Sequence, residues 1–406
     1  MSKKMPLDGI IVADFTWVGA GPIATRFLSE YGAKVIKIET KSKPEILRMT
    51  GPFKDGIPGV DRSGYFSNRN PNKQSISLNM KHPKARDVAA RIIEKSDLVI
   101  NNFRPGVMEK WKLGYEDVKK IKPDIIFVTM SMQGSSGPHS SYMGFGATLN
   151  ALVGFNHLSG FPDQPPFGTG TNYSDHVAVP THTIFALMAA FRHRNKTGKG
   201  QFIEIPQSEA AICMKPVAVM DYAVNGREQS RIGNRHLNAA PHGVYRTSGD
   251  KRWIGIAVYN DSEWESLKNV MGNPAWANDP KFATKEGRMA NQDQLDSMIE
   301  KWTSGQDGHE LMQKLAGSGV RAGMVLNAKD MLEDPQMQAR GHWVYLDHPE
   351  IGVSAYNGCP VHMSKTPAQY KTAAPLLGQH TEEVMKEFLN MDDREYKQLE
   401  ADQVFA

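Results

Sequence analysis

The chain has 406 residues, 40% hydrophobic and 23% charged, with a formal net charge of +4 and a pI near 8.8. That length suits roughly two or three domains around a large core. Its basic residues are scattered, which argues against a nucleic-acid footprint while leaving room for an anionic small ligand. The two cysteines, Cys213 and Cys359, stand far apart in no metal-ligand spacing, so neither a disulfide framework nor a metal site is expected. MSKKMPLDG at the start has no apolar signal core, and no run of about 18 apolar residues follows. The expectation is a cytoplasmic protein with no membrane partner.

In chain order, Gly9 to Asp14 (GIIVAD) predicts a buried strand, and Pro22 suits the first turn of a helix. That helix, Ile23 to Tyr31, stops at Gly32, and Ala33 to Glu39 predicts the next strand. Such strand–helix–strand units build parallel sheets. The turn Gly19-Ala20-Gly21 carries half of a dinucleotide fingerprint, with Glu39 where a ribose-binding acid would lie. However, G-x-G-x-x-G is absent, and a tight turn explains the glycines equally well. Residues 40–75, polar and rich in Gly, Pro and Lys, predict a long surface loop.

Ile76 to Met80, Asp97 to Phe103 and Asp124 to Ser131 predict further strands, with a helix over His82 to Ser96 and another near Val107 to Lys112. The alternation argues for a doubly wound, mostly parallel α/β sheet whose ligand lies beyond the carboxyl ends of its strands. A helix over Ser208 to Val224, bent at Pro216, follows. Then the texture changes to a hairpin (Val244 to Arg246, Trp253 to Val258), three short helices and the strand Arg321 to Leu326. The expected organisation is a large domain over 1–225, a small α+β domain over 226–330, and a return to the large domain over 331–406.

Between Asp163 and Glu204 the only acid is Asp175, where a Gly- and Thr-rich loop gives way to an apolar helical run. A lone carboxylate there is a helix N-cap or a reactive group held ionised by the first-turn amides. Residue type alone favours the cap.

PLDGIIVADF with GAGP, LSEYGAKVIKIE, NRNPNKQSISLN, DLVINNFRPGV, IKPDIIFVTMS with its GSSGP loop, KTGKGQFIEIPQSEA and AAPLLGQHTEEV occur in that order. Together they resemble the class III CoA-transferase family, which also has α-methylacyl-CoA racemases as relatives. The resemblance covers nearly the whole chain. It implies an interlocked dimer, acyl-CoA and a carboxylic acid as substrates, no metal, and an aspartate nucleophile that here corresponds to Asp175. Asp175 stands 22 residues before Thr197, one more than in formyl-CoA and carnitine transferases, where that count falls on His176. The resemblance further implies CoA contacts at Gly19, Ala20, Gly21, Asn102 and Phe103, with Lys41, Lys73, Arg104 and Lys110 as candidates for phosphate or pantetheine. Gly19 stands where the formyl-CoA enzyme has glutamine. An aromatic or dicarboxylic acceptor, benzylsuccinate-like, with succinyl-CoA as donor is the preferred substrate pair. The alternatives are a racemase, which would need a base among His176 and His182, and a non-catalytic subunit of a heteromer.

Overall fold

The computed structural model describes residues 4–406. Six strands form one sheet: β1 (Ile11–Asp14), β2 (Lys34–Glu39), β3 (Gln74–Ser77), β4 (Leu98–Asn101), β5 (Ile126–Thr129) and β6 (Gln201–Glu204). Every pairing is parallel, in the order β3-β2-β1-β4-β5-β6. Successive side chains enter opposite cores, as a sheet covered on both faces requires. Ala13, Ile36, Val99 and Phe127 pack on one side with the helix Pro83–Glu94 and the chain end around Val384 to Phe405. Val12, Val35, Ile100 and Val128 pack on the other with the helices Ala20–Glu30 and Val179–Thr197. The doubly wound parallel sheet expected from the sequence is present.

The strand order reverses between β1 and β4, and ligands of such sheets bind at that point beyond the strand ends. The segments after Asp14 and Asn101 therefore face a common crevice.

The chain divides into two compact units. One comprises residues 4–156, 168–229 and 338–406 and contains the parallel sheet, together with the hairpin β10 (Trp343–His348) and β11 (Gly352–Asn357). The other comprises 157–167 and 230–337. It holds the antiparallel sheet β7 (His242–Arg246), β8 (Trp253–Ala257) and β9 (Arg321–Met324), packed with helices around Trp264, Phe282, Leu295 and Leu311.

Two local expectations are corrected. The segment 40–75 is no plain surface loop: Glu45, Leu47, Arg48, Phe66, Asn70 and Lys73 are buried, and Gly64–Arg69 is a helix. Its polar residues are interior because they are paired. The helix expected across Pro216 is broken into Gln207–Ile212 and Pro216–Asn225, since proline cannot continue the hydrogen-bond ladder.

Candidate active site

At the switch point lies a cavity of about 520 Å³. Its floor comes from Trp17, Val18, Gly19 and Ala20 after β1, and from Asn102, Phe103 and Arg104 after β4. Met143, Phe145 and Gly146 form another wall. Among the described residues that line it, Asp175 is the only carboxylate.

Asp175 is not an N-cap. It lies inside a single π-helical turn, Ser174–Ala178, that runs directly into Val179–Thr197. The residue ahead of that turn, Tyr173, already has helical backbone angles and makes no side-chain cap. The carboxylate is therefore not held by capping amides. Burial pushes its pKa up to about 6, and the Arg69 guanidinium partly opposes this. It remains mostly ionised at neutral pH while poorly solvated, and such a carboxylate can attack an electrophilic carbonyl.

Two glycines make room for it. A Cβ on Gly19 would lie 2.8 Å from Asp175 Cβ, and one on Gly146 would fall on Asp175 Oδ2 and the Asn172 side chain. This accounts for glycine at position 19, where a larger side chain would displace Asp175. Asn150, buried on the helix Gly146–Leu152, donates to Thr171 O at 3.3 Å and so ties down the loop that carries Asp175.

His176 points elsewhere. Its Nε2 lies 2.9 Å from Arg69 Nη2 and 3.1 Å from Tyr65 Oη, while Nδ1 lies 2.7 Å from Thr171 Oγ1. Arginine only donates, so Nε2 accepts and Nδ1–H donates to Thr171. Burial and Arg69 push its pKa down to about 4, which keeps the ring neutral. His182 spends its Nδ1 on Ala178 O at 2.7 Å.

The structure brings Gly19, Ala20, Asn102, Phe103, Arg104 and Asp175 around the cavity but not Gly21, Lys41, Lys73 or Lys110. Gly21 is a packing glycine against Thr16. Lys41 is exposed beside Gly378, and Lys110 is exposed on the short helix Val107–Lys110. Lys73 is buried: Nζ donates to Thr25 Oγ1 at 2.7 Å, to Pro22 O and Asn70 Oδ1 at 2.9 Å, and faces Asp14. It is therefore an internal strut, unable to reach a phosphate. Asn102 lines the cavity, but its amide is used on Trp17, accepting from N at 2.8 Å and donating to O at 2.6 Å. Phe103 stacks edge-on against Trp17 and Trp111. Arg104 is exposed at the cavity, with Nη1 beside Met143 Sδ. Glu39 grips Arg48 through both oxygens at 2.8 Å, which removes it as a ribose ligand.

The Asp175 cavity lies within the segment matched by the model of CoA-transferase family III, which covers residues 7–381. This chain is a class III CoA-transferase. Succinyl-CoA–D-citramalate CoA-transferase of Chloroflexus aurantiacus is 31% identical over 98% of this chain and 98% of its own. The beta subunit of succinyl-CoA–L-malate CoA-transferase from the same organism is 31% identical over 99% of both. A crystal structure of a CaiB/BaiF family protein from Brucella suis superposes with a TM-score of 0.86 at 29% identity, covering 95% of this chain and 100% of that one. The transferase moves CoA between acids. Among its described residues no group of His, Cys, Asp and Glu could hold a metal ion, and no helix is long and apolar enough to cross a membrane.

Sequence reasoning alone does not reach Arg69, Asn150 or Gly146. Arg69 acts on Asp175 from more than a hundred residues away in the chain, and no local spacing announces it.

Proposed function

We propose that this enzyme transfers CoA from succinyl-CoA to a dicarboxylic acid through covalent intermediates on Asp175. The observation that carries the reading is a single buried carboxylate facing the switch-point cavity between two glycines. The Asp175 carboxylate attacks the thioester carbonyl, the C–S bond breaks, and CoA thiolate leaves a mixed anhydride. The thiolate then attacks the Asp175 carbonyl and expels the donor acid, leaving an aspartyl-CoA thioester. The acceptor carboxylate attacks that thioester and releases the thiolate again. Thiolate attack on the acceptor's acyl carbon gives the new acyl-CoA and frees Asp175. Ala20 and Gly21 open a helix, so their amides lack intrahelical partners, and Ala20 borders the cavity where an oxyanion would form.

Arg104, exposed at the cavity, suits a phosphate of CoA. Tyr142, Met143 and Phe145 give the cavity an apolar rim that suits a bulky acceptor and screens the anhydride from water. The dicarboxylate choice rests on the citramalate and malate transferases that this chain resembles. The test is initial-rate transfer from succinyl-CoA to a panel of aliphatic and aromatic dicarboxylates, followed by product mass. If only monocarboxylates accept CoA, the substrate assignment is wrong.

Self-association belongs to the same reading. The helix Pro216–Asn225 exposes Val217 (72%), Tyr222 (65%) and Val224 (70%), and its only buried side chain is Asp221. An apolar helix turned outward in this way needs a cover. Light scattering of the purified chain, alone and with a related subunit, separates homodimer from heteromer.

A further inference from the structure

The loop between β1 and the helix Ala20–Glu30 is held by side chains rather than by secondary structure. Thr16 N donates to Asp14 Oδ1 at 2.9 Å, and Thr16 O accepts from Lys37 Nζ at 2.8 Å. Asn102 takes both backbone groups of Trp17. Val18 N donates to Glu45 Oε1 at 2.7 Å. Every backbone donor and acceptor from Thr16 N to Val18 N is thus taken by a side chain.

Val18 has φ of 63°, a left-handed conformation that a β-branched residue adopts only under constraint. Glu45 supplies that constraint and is itself fixed by Lys37 at 2.6 Å, with both side chains fully buried. The next residue is Gly19, in contact distance of Asp175, and then Ala20 on the cavity wall. A strained residue with a dedicated buried clamp, one position before Gly19, is a device for aiming the start of the helix Ala20–Glu30.

We propose that Glu45 is a positioning residue, holding Val18 left-handed so that the helix-opening amides face the carbonyl on which Asp175 acts. The inference rests on the reading of Asp175 as nucleophile. Lys37 serves the same loop twice, gripping Thr16 O and orienting Glu45.

The test is a double-mutant cycle between Glu45→Ala and Val18→Gly, read as kcat and KM for CoA transfer. Glu45→Ala is expected to lower kcat about 100-fold, the scale of losing aligned oxyanion donors. KM for acyl-CoA should change by less than about threefold, since uniform binding is untouched. Glycine adopts positive φ without strain, so in the Val18→Gly background the same Glu45→Ala change should cost less than about tenfold. Should Glu45→Ala not fold, Glu45→Gln, which keeps an acceptor for Val18 N and leaves Lys37 on Thr16 O, is the second variant: kcat within about threefold of the parent supports the clamp, and a loss of about 100-fold overturns it. For Glu45→Ala, a kcat loss within about threefold, or an equal loss in both backgrounds, overturns the inference. Transfer that survives Asp175→Ala overturns instead the nucleophile reading on which it rests.

Discussion

A methyl group on Gly146 would occupy the space held by Asp175 Oδ2. The constraint is contact rather than backbone conformation, because Gly146 is not among the residues with positive φ. Gly146→Ala should therefore displace the carboxylate and the Asn172 side chain beside it. A shift on the scale of 1 Å at a reacting group costs about 100-fold in rate. Steady-state kcat/KM is expected to fall by at least that factor, with overpacking against Asn172 costing about 1–3 kcal/mol of stability in a urea titration. Gly19→Ala, pressing on Asp175 Cβ at 2.8 Å, should act in the same direction.

The raised Asp175 pKa predicts opposite effects on activity and stability. With the folded value at about 6, kcat/KM should be level above that pH and fall about tenfold per unit below it. For stability, the folded pKa lies above the ordinary aspartate value of 3.8, so the folded state binds the proton more tightly. The contribution is fully favourable below the unfolded pKa and is lost as pH rises through about 6. At pH 8 the ionised carboxylate costs the fold roughly 2–3 kcal/mol. Asp175→Asn should be inactive yet more stable by about that amount at pH 8, with the gain shrinking to nothing near pH 4. Urea titrations across that range measure it.

Lys73 and Arg104 should separate cleanly. Lys73→Met strands Asp14 in the interior and should cost about 3 kcal/mol of stability in a urea titration. Arg104→Ala touches only an exposed side chain at the cavity, so the thermal midpoint should hold while KM for acyl-CoA rises roughly tenfold.

How the sequence divides into legible and hidden parts depends on the same residues. The strands of the parallel sheet announce themselves because both faces are covered, leaving unbroken apolar runs such as LVIN and IFVT. Asp175 is legible as the lone acid in its stretch. What resists sequence reading is burial of charge. Glu45, Arg48 and Lys73 look like surface residues until their partners, Lys37 and Glu39 on β2 and Asp14 on β1, are brought beside them. Without those partners the segment 40–75 reads as a loop and Lys73 as a phosphate ligand. The cap reading of Asp175 fails because helical geometry begins before Ser174, which no residue type signals.

His176 bears on the racemase alternative. Its Nε2 accepts from Arg69 and its pKa is pushed down to about 4, so it has no lone pair free to take an α-proton. Its imidazole resonances should not titrate between about pH 5 and 8. Incubating an α-methylacyl-CoA with the enzyme in deuterated buffer, without acceptor acid, should leave the α-position unlabelled. Rapid incorporation would restore the racemase reading.

The central claim is that the acyl and CoA groups pass through Asp175. Incubation with succinyl-CoA and hydroxylamine, followed by peptide mass spectrometry, tests it most directly. A hydroxamate on Asp175, formed only in the presence of the acyl-CoA, is the predicted result. A hydroxamate on another carboxylate, or transfer at undiminished rate with no trapped residue, would contradict it.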